Sequence, residues 1–403
     1  MDIRPILSTL RRHQTAAALI VIEIALTCAI LCNALDLIGQ RITRLQRSTG
    51  WAEAELVVIG ITGIGKEANA DALTRQDLAA LRALPGVRQA TIINQVPYGG
   101  SSWNTGVQLA PDQQRNTMTV SQYLVSEHFI DTMGLRLIAG RDFLPDEYSY
   151  ESAANNDSIR SLSVIVSRAM GERLFPKGDV LGKTIYMRDM PAKIVGIVDT
   201  LTSTRDLRPD RAEMAMAMPL RVAYSRGGQY VLRTDPAQRN AVLKAAVAEL
   251  QKINPNRVVL TQRTFEEMKS KFFAPDRAMA GLLAAVCIAL LVVTALGIVG
   301  LASFWVQQRT RMIGTRRALG ATRGQILRYF QTENFVLASA GIVLGMAGAY
   351  GINQVLMTQY ELARLPAFYL PVGAVALWAL GQLAVLAPAR RAATLPPVAA
   401  LRA

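Results

Sequence analysis

AAALIVIEIALTCAILCNALDLI, residues 16–38, holds two acids, no base and otherwise almost only apolar side chains. A helix rising about 1.5 Å per residue needs about 20 such residues to cross a hydrocarbon core of about 30 Å, so this stretch is long enough to span a bilayer. Three more runs of the same kind stand at residues 278–306, 335–356 and 367–387. They explain why 51% of the chain is hydrophobic and only 18% charged, proportions foreign to a single soluble enzyme. The first run is too long for a signal-peptide core and no A-x-A-like site ends it, so it reads as a retained helix. Residues 41–276 read as water-soluble protein. The expected fold is therefore a membrane protein, with four transmembrane α-helices and a large mixed α/β extracytoplasmic domain of two lobes inserted between helices 1 and 2. The segments are 1–15 (inner), 16–40 (helix 1), 41–276 (outer domain, lobes dividing near 200), 277–306 (helix 2), 307–329 (inner loop), 330–357 (helix 3), 358–366 (short outer loop), 367–388 (helix 4) and 389–403 (inner tail).

The formal charge of +14 suggests nucleic acid until the charges are located. Arg4, Arg11 and Arg12 precede helix 1; Arg309, Arg311, Arg316, Arg317, Arg323 and Arg328 fill the loop between helices 2 and 3; Arg390, Arg391 and Arg402 follow helix 4. In those three segments the only acid is Asp2, whereas residues 41–276 carry a nearly balanced 30 basic and 25 acidic groups. Lys and Arg concentrate on the cytoplasmic side of membrane proteins, so the termini and the loop are expected inside and residues 41–276 outside. Membrane lipid, not nucleic acid, is the expected partner of the charge.

Cys28, Cys32 and Cys287 all fall within spans, so the outer domain must fold without a disulfide. Cys28 and Cys32 share a helix face. As a pair they could bind metal or cycle redox state, but with no His or acid partner beside them they read as small packing residues. Glu23 lies about 13.5 Å along the helix from Gln14, near the bilayer centre, where a lone charge costs about 3 kcal/mol. It reads either as a lever or pathway residue or as a neutral carboxyl packed on a neighbouring helix. In helix 3, Gly341, Gly345 and Gly348 repeat at small-residue spacing, which flattens a face for close helix contact within the bundle or across a dimer.

In the outer domain, residues 55–59 (ELVVI) read as a strand and 60–65 as a glycine-punctuated loop. Residues 73–84 read as a surface helix, with Thr74 and Asp77 placed like a capping box. Strands are expected at 87–94, 106–109, 118–125, 164–166, 184–187, 193–198, 230–233 and 257–261, and helices at 127–133, 168–175 and 236–253. Residues 144–162 read as a mobile loop and 200–219 as irregular. The segment GDVLGKT, residues 178–184, is one residue short of a phosphate-binding P-loop and runs into a strand rather than a helix. His13 and His128 lack the neighbours of a triad or metal site. No catalytic, cofactor or metal residue is therefore expected.

Residues 306–330, VQQRTRMIGTRRALGATRGQILRYF, combine six arginines with Met312, Ile313, Ala318 and Leu319. The physical reading is a short amphipathic helix along the membrane, stopped by Gly320, with Thr322 capping the next helix and Ile313 and Leu319 buried. This loop closely resembles that of the MacB/FtsX-type permeases of ABC transporters. Residues 129–143 (FIDTMGLRLIAGRDF), 164–185 (VIVSRAMGERLFPKGDVLGKTI) and 193–199 (KIVGIVD) resemble that family's periplasmic core domain, and residues 388–403 (PARRAATLPPVAALRA) its C-terminal end.

The resemblance implies a bacterial inner-membrane, multi-pass export permease that is itself no enzyme. Motion driven by ATP would enter through a coupling helix of Met312, Ile313, Gly314, Thr315, Arg316, Arg317, Ala318, Leu319, Gly320 and Ala321. ATP and Mg would be bound by a separate cytoplasmic ABC ATPase dimer, because only fifteen residues precede helix 1. A second permease is implied, and the style of residues 1–30 is similar to that of unequal pairs, hence a heterodimer rather than a homodimer. A periplasmic adaptor and outer-membrane duct would receive a peptide, antibiotic or other amphiphile. Lipoprotein release and non-transporting control of a cell-wall hydrolase are the other functions the family offers.

Overall fold

The computed structural model describes residues 14–64, 69–150, 162–187, 190–204, 210–360 and 364–394. Asp2, Arg4, Arg11, Arg12, His13, most of the expected loop at 144–162, and the tail from residue 395 lie outside the described residues. The chain divides into two compact units: Gln46–Ala274, and the flanking Met1–Leu45 with Pro275–Ala403.

The flanking unit is built on four helices long and apolar enough to cross a membrane: α1 (Gln14–Gln46), α7 (Ala274–Gln308), α9 (Arg323–Tyr360) and α10 (Tyr369–Thr394). Each is apolar all round, yet only one stripe of α1 is buried, with Ala17, Ile20, Ile24, Cys28, Leu31 and Cys32 three or four apart. Leu19, Ile22 and Leu26 on its other faces are exposed, as lipid-facing side chains should be. The buried stripe meets the glycines of α9. A side chain at Gly341 would begin 2.8 Å from the Ile24 Cβ, and one at Gly345 2.5 Å from the Cys28 Cβ, closer than carbon atoms pack. At Gly348 the nearest atom is the Ala29 Cβ at 3.6 Å, an ordinary contact. Helix packing inside this chain therefore accounts for Gly341 and Gly345 without a second copy. Cys28 and Cys32 are buried in the same seam, their thiols near the Ile342 and Tyr369 carbonyls at 3.9 and 3.7 Å.

The Gln46–Ala274 unit holds two main sheets. The first is antiparallel, in the order β13 (Arg257–Thr264), β1 (Leu56–Gly63), β12 (Gln229–Thr234), β2 (Val87–Ile93). Its core joins Val57, Ile59 and Ile61 to Leu78 and Leu81 of α2 (Ala70–Ala83) and to Val242, Ala246 and Leu250 of α5 (Arg239–Ile253). The second is mixed, in the order β3 (Asn104–Val107), β4 (Met118–Leu124), β10 (Ala215–Met218), β7 (Leu162–Ser167), β9 (Met190–Val198), β5 (Leu137–Gly140), with β8 (Thr184–Met187) on β9. Strands β6 (Ser149–Tyr150) and β11 (Leu220–Arg221) make a small parallel pair. Helices α3 (Phe129–Met133) and α4 (Arg168–Leu174) complete the second lobe.

Three expectations about this domain need correction. The lobes do not part near residue 200: the chain leaves the first sheet after β2 and returns only at β12, so the first lobe is assembled from two distant segments. Consistently, part of the stretch expected to be irregular is β10, which sits in mid-sheet between β4 and β7. The glycine loop expected from residue 60 is strand through Gly63, because Gly60 is paired on both sides, with Gln229 and Thr261. The third concerns the helix N-terminus. Thr74 and Asp77 do not form a capping box, since α2 begins one turn earlier at Ala70. Thr74 Oγ1 donates to the Ala70 carbonyl at 2.7 Å, and Asp77 is fully buried beneath the helix.

Where β5 ends, Glu147 accepts from both Arg141 Nη atoms at 2.7 Å, from Ser163 Oγ at 2.5 Å and from the Leu144 amide at 2.7 Å. Arg141 foremost, with those other donors, holds its carboxyl down at about 2. A depressed carboxylate contributes stability above its unfolded value and loses it as pH falls toward the folded one. Acid unfolding of the wild-type domain should therefore steepen between about pH 4.5 and pH 2. In Glu147→Gln that limb should flatten, with about 1–2 kcal/mol lost at neutral pH once the half-exposed Arg141 is allowed for. Circular dichroism across a pH series checks both.

Candidate functional site

Helix α7 does not run on into the inner loop. It ends at Gln308, Arg309 occupies a single non-helical position (φ −104°, ψ 13°), and α8 (Thr310–Ala318) starts beyond it. The stop of α8 is local chemistry. Gly320 takes φ +95°, open to glycine and strained for other residues, so its amide and that of Ala321 return to the Arg317 and Arg316 carbonyls at 3.2 and 3.0 Å. Thr322 then caps α9: its hydroxyl accepts from the Gln325 amide at 3.3 Å while the Gln325 side chain accepts from the Thr322 amide at 2.9 Å.

The corner at Arg309 is pinned. Its Nη1 donates to both Glu333 carboxylate oxygens, at 2.9 and 2.8 Å, and its guanidinium lies over the Trp305 ring at 5.4 Å. Both side chains of the pair are buried, 7% and 2% exposed. Arg316 stacks on Tyr329 of α9 at 4.8 Å, and Arg317 donates to the Ala393 carbonyl of α10. Helix α8 is thus tied to α9 and α10 and is one residue from α7.

Of the residues expected in the coupling segment, Ile313 and Gly314 are buried, Met312, Arg316, Arg317 and Ala321 half-buried, and Thr315, Ala318, Leu319 and Gly320 exposed. Leu319 corrects the expectation of burial: it is 84% exposed. With Arg311, Thr315 and Ala318 it forms an outward stripe at helical spacing, a basic face with an apolar tip. The Arg309–Glu333 pair was not singled out as a site; an acid near the inner end of a span, one helical hairpin away from a run of arginines, is the signal that could have found it.

Glu23 is half-buried in the α1–α7 seam. Its carboxylate covers Gly297, where a side chain would begin 2.5 Å from Oε2, and one turn on Thr27 Oγ1 and Thr294 Oγ1 hydrogen-bond at 2.8 Å. At the outer ends of the same two helices Asp276 pairs with Arg41 and, at 3.8 Å, with Arg44.

Within the outer unit the two segments that continue into the bundle are clamped together. Trp51 stacks on Phe265 of α6 (Phe265–Phe272) at 5.5 Å, and Glu53 accepts from Lys269 at 2.6 Å. The lobes are stitched by buried amides: Asn94 accepts from the Leu124 amide at 2.9 Å, and Gln95 spans Trp103 and the Gln122 carbonyl at 2.7 and 2.9 Å. Residues 178–184 form a turn ending in β8, with the Gly182 amide on the Ile194 carbonyl at 2.8 Å. His128 is exposed and sits at φ +66° ahead of α3. Among the described residues no three His, Cys, Asp or Glu side chains come together as a metal cluster.

The family model of the MacB-like periplasmic core domain matches residues 17–252, and that of the FtsX-like permease C-terminal region matches residues 284–397. The macrolide export ATP-binding/permease protein MacB of Chromobacterium violaceum is 28% identical over 298 residues, which is 69% of this chain and 42% of that protein. The ABC transporter permease YknZ of Bacillus subtilis is 25% identical over 82% of this chain and 79% of its own length. Among solved structures, the periplasmic region of MacB from Actinobacillus actinomycetemcomitans aligns over 58% of this chain and 98% of its own, with a TM-score of 0.36 and 15% identity. The extracellular domain of YknZ aligns over 51% and 100%, with a TM-score of 0.34 and 16% identity.

Proposed function

Since this chain belongs to the MacB/FtsX-type ABC transporter permeases, we propose that it transmits ATP-driven motion from a cytoplasmic ABC ATPase dimer to its outer domain, expelling a peptide, antibiotic or other amphiphile. The termini and α8 then face the cytoplasm and Gln46–Ala274 the periplasm of a bacterial inner membrane. ATP and Mg belong to the ATPase, and a second permease, unequal to this one, completes the membrane portion. A periplasmic adaptor and outer-membrane duct carry the cargo onward.

The observation that supports this reading best is α8. A solvated loop would leave its arginines free, and a helix merely resting on lipid would turn its apolar side inward. Here Arg309, Arg316 and Arg317 are tied to α9 and α10, while Leu319 is exposed on the same side of the helix as Arg311, two turns further on. An exposed leucine on a basic, internally braced helix suits a protein partner with an apolar pocket and an acidic rim. Motion entering at α8 passes to α7 through the Arg309 corner, and Glu23 over Gly297 lies on the same route between α7 and α1.

Arg316→Glu with Leu319→Glu should abolish stimulation of the partner ATPase and export, a loss of at least about tenfold, since burying a leucine contributes about 1.5–3 kcal/mol. Because Arg316 also braces α8, Leu319→Asp alone is the cleaner variant and should lose most of the stimulation. Unchanged stimulation in both would exclude docking through α8. Gentle extraction followed by a subunit census identifies the ATPase and the second permease.

A further inference from the structure

In the first sheet of the outer unit, Gly60 of β1 stands directly between Thr261 of β13 and Gln229 of β12. Residues directly opposed in antiparallel pairs share a face, so Gly60 puts no side chain between these two polar ones, and a Cβ there would meet the Thr261 Cβ at 3.4 Å. Arg263, two residues beyond Thr261 on this edge strand, points to the same face. Helix α6 supplies a second wall through Met268, Lys271 and Phe272, and Tyr98 and Gly99 close a third; together they bound a cleft of about 270 Å³.

The walls are built rather than incidental. Tyr98 holds φ +64°, a left-handed conformation that a bulky residue adopts only when its surroundings impose it. Its ring packs on Phe265, Phe272 and Phe273 at 5.8, 5.1 and 5.2 Å. Arg263 and Lys271 are exposed, and no acid lines the cleft. The nearest acids are engaged elsewhere: Glu53 with Lys269, Glu266 with Arg239 at 2.7 Å, and Glu267 as the cap partner of Thr264. Two cations thus face a pocket with aromatic and thioether walls and a polar floor.

We propose that the cleft of Tyr98, Arg263, Lys271 and Phe272 binds small anionic amphiphiles, an acidic head on the two cations and an apolar body along the aromatic wall. Its volume lies just below the about 300–1,000 Å³ of pockets for drug-sized ligands, so it takes one head group and part of a chain, not a folded peptide. The proposal deepens the export reading, on which it rests for the fate of the ligand, by naming acidic amphiphiles as a cargo class.

The test uses the full chain in nanodiscs of zwitterionic phosphatidylcholine, with empty discs subtracted. Binding of 11-(dansylamino)undecanoic acid is compared with that of a dansyl probe of equal length ending in trimethylammonium. The acid should bind saturably and the cation should not. Arg263→Gln with Lys271→Gln should weaken the acid at least about tenfold, Arg263→Lys should hold it, and Gly60→Val should fill the floor and exclude it with near-UV circular dichroism unchanged. Equal binding of the two probes, wild-type affinity in the double glutamine variant, or displacement of the acid by inorganic phosphate alone would overturn the proposal. Export by the assembled transporter is measured in parallel. A complex that exports but binds no acid refutes the cleft and leaves the permease reading standing, whereas acid binding without any export does the reverse.

Discussion

Glu333→Ala should leave the Arg309 guanidinium buried and unpaired, which costs about 3–5 kcal/mol, a large share of the about 5–15 kcal/mol margin of a typical fold. Arg309 Nη1 reaches both carboxylate oxygens, the pair is nearly enclosed, and the guanidinium lies over the Trp305 ring. The expected result is a sharp fall in the extraction yield of folded protein and loss of ATPase stimulation in whatever survives. Replacing both partners, Arg309→Met with Glu333→Leu, removes the charges together and should restore folded yield. If the pair is the rigid corner through which α8 moves α9, that double variant stays uncoupled despite being folded. Recovery of both yield and stimulation would show that the pair holds the bundle together and transmits nothing.

A second loss of the same size is expected at Asp77→Ala in the outer domain. The Asp77 carboxylate accepts from Arg257 Nη1 at 2.9 Å and from the Tyr230 hydroxyl at 2.5 Å, with the two charged side chains 0% and 1% exposed. The Arg257 guanidinium lies over the Tyr224 ring at 4.2 Å. Removing the acid strands this cation in the core and should cost about 3–5 kcal/mol. Urea unfolding followed at the first lobe reads it directly: the midpoint should drop, while Asp77→Asn, which keeps an acceptor for Tyr230, should lose less. A midpoint within error of wild type in Asp77→Ala would mean that the pair is not closed in solution.

The end of α8 was legible because it is local. Gly320 followed two residues later by Thr322 is a stop and a start written in adjacent residues, and both work as read. The long helices were legible for a similar reason: about 20 apolar residues in a row, three of the four runs without any charge, have one stable place to be. Gly341 and Gly345 were recognised as a contact face, though spacing alone left the partner open. The identity of that partner, the Ile24–Cys28 stripe of α1, follows only from how the helices cross.

The misreadings share a cause. Asp77 three residues after Thr74 has the spacing of a capping box, and nothing nearby marks Arg257, 180 positions later, as its partner. Gly60 in a glycine-rich stretch signals a loop, until pairing with two strands from the far end of the domain makes it the centre of a sheet. Residue 200 looked like a lobe boundary because no local pattern shows that β12 and β13 return to join β1 and β2. Leu319 looked buried because it is apolar in an arginine-rich run beside Ile313, whereas helical spacing puts it on the outward face of Arg311 and Thr315.

Hydropathy and caps, each a property of a few consecutive residues, were enough to determine the four long apolar helices and the point where α8 stops. Which buried acid meets which buried base, which glycine makes room for which side chain, and which leucine is left outside were decided by tertiary structure. Those outcomes depend on excluding water between segments far apart in the chain, and desolvation belongs to the assembled contact rather than to either segment alone.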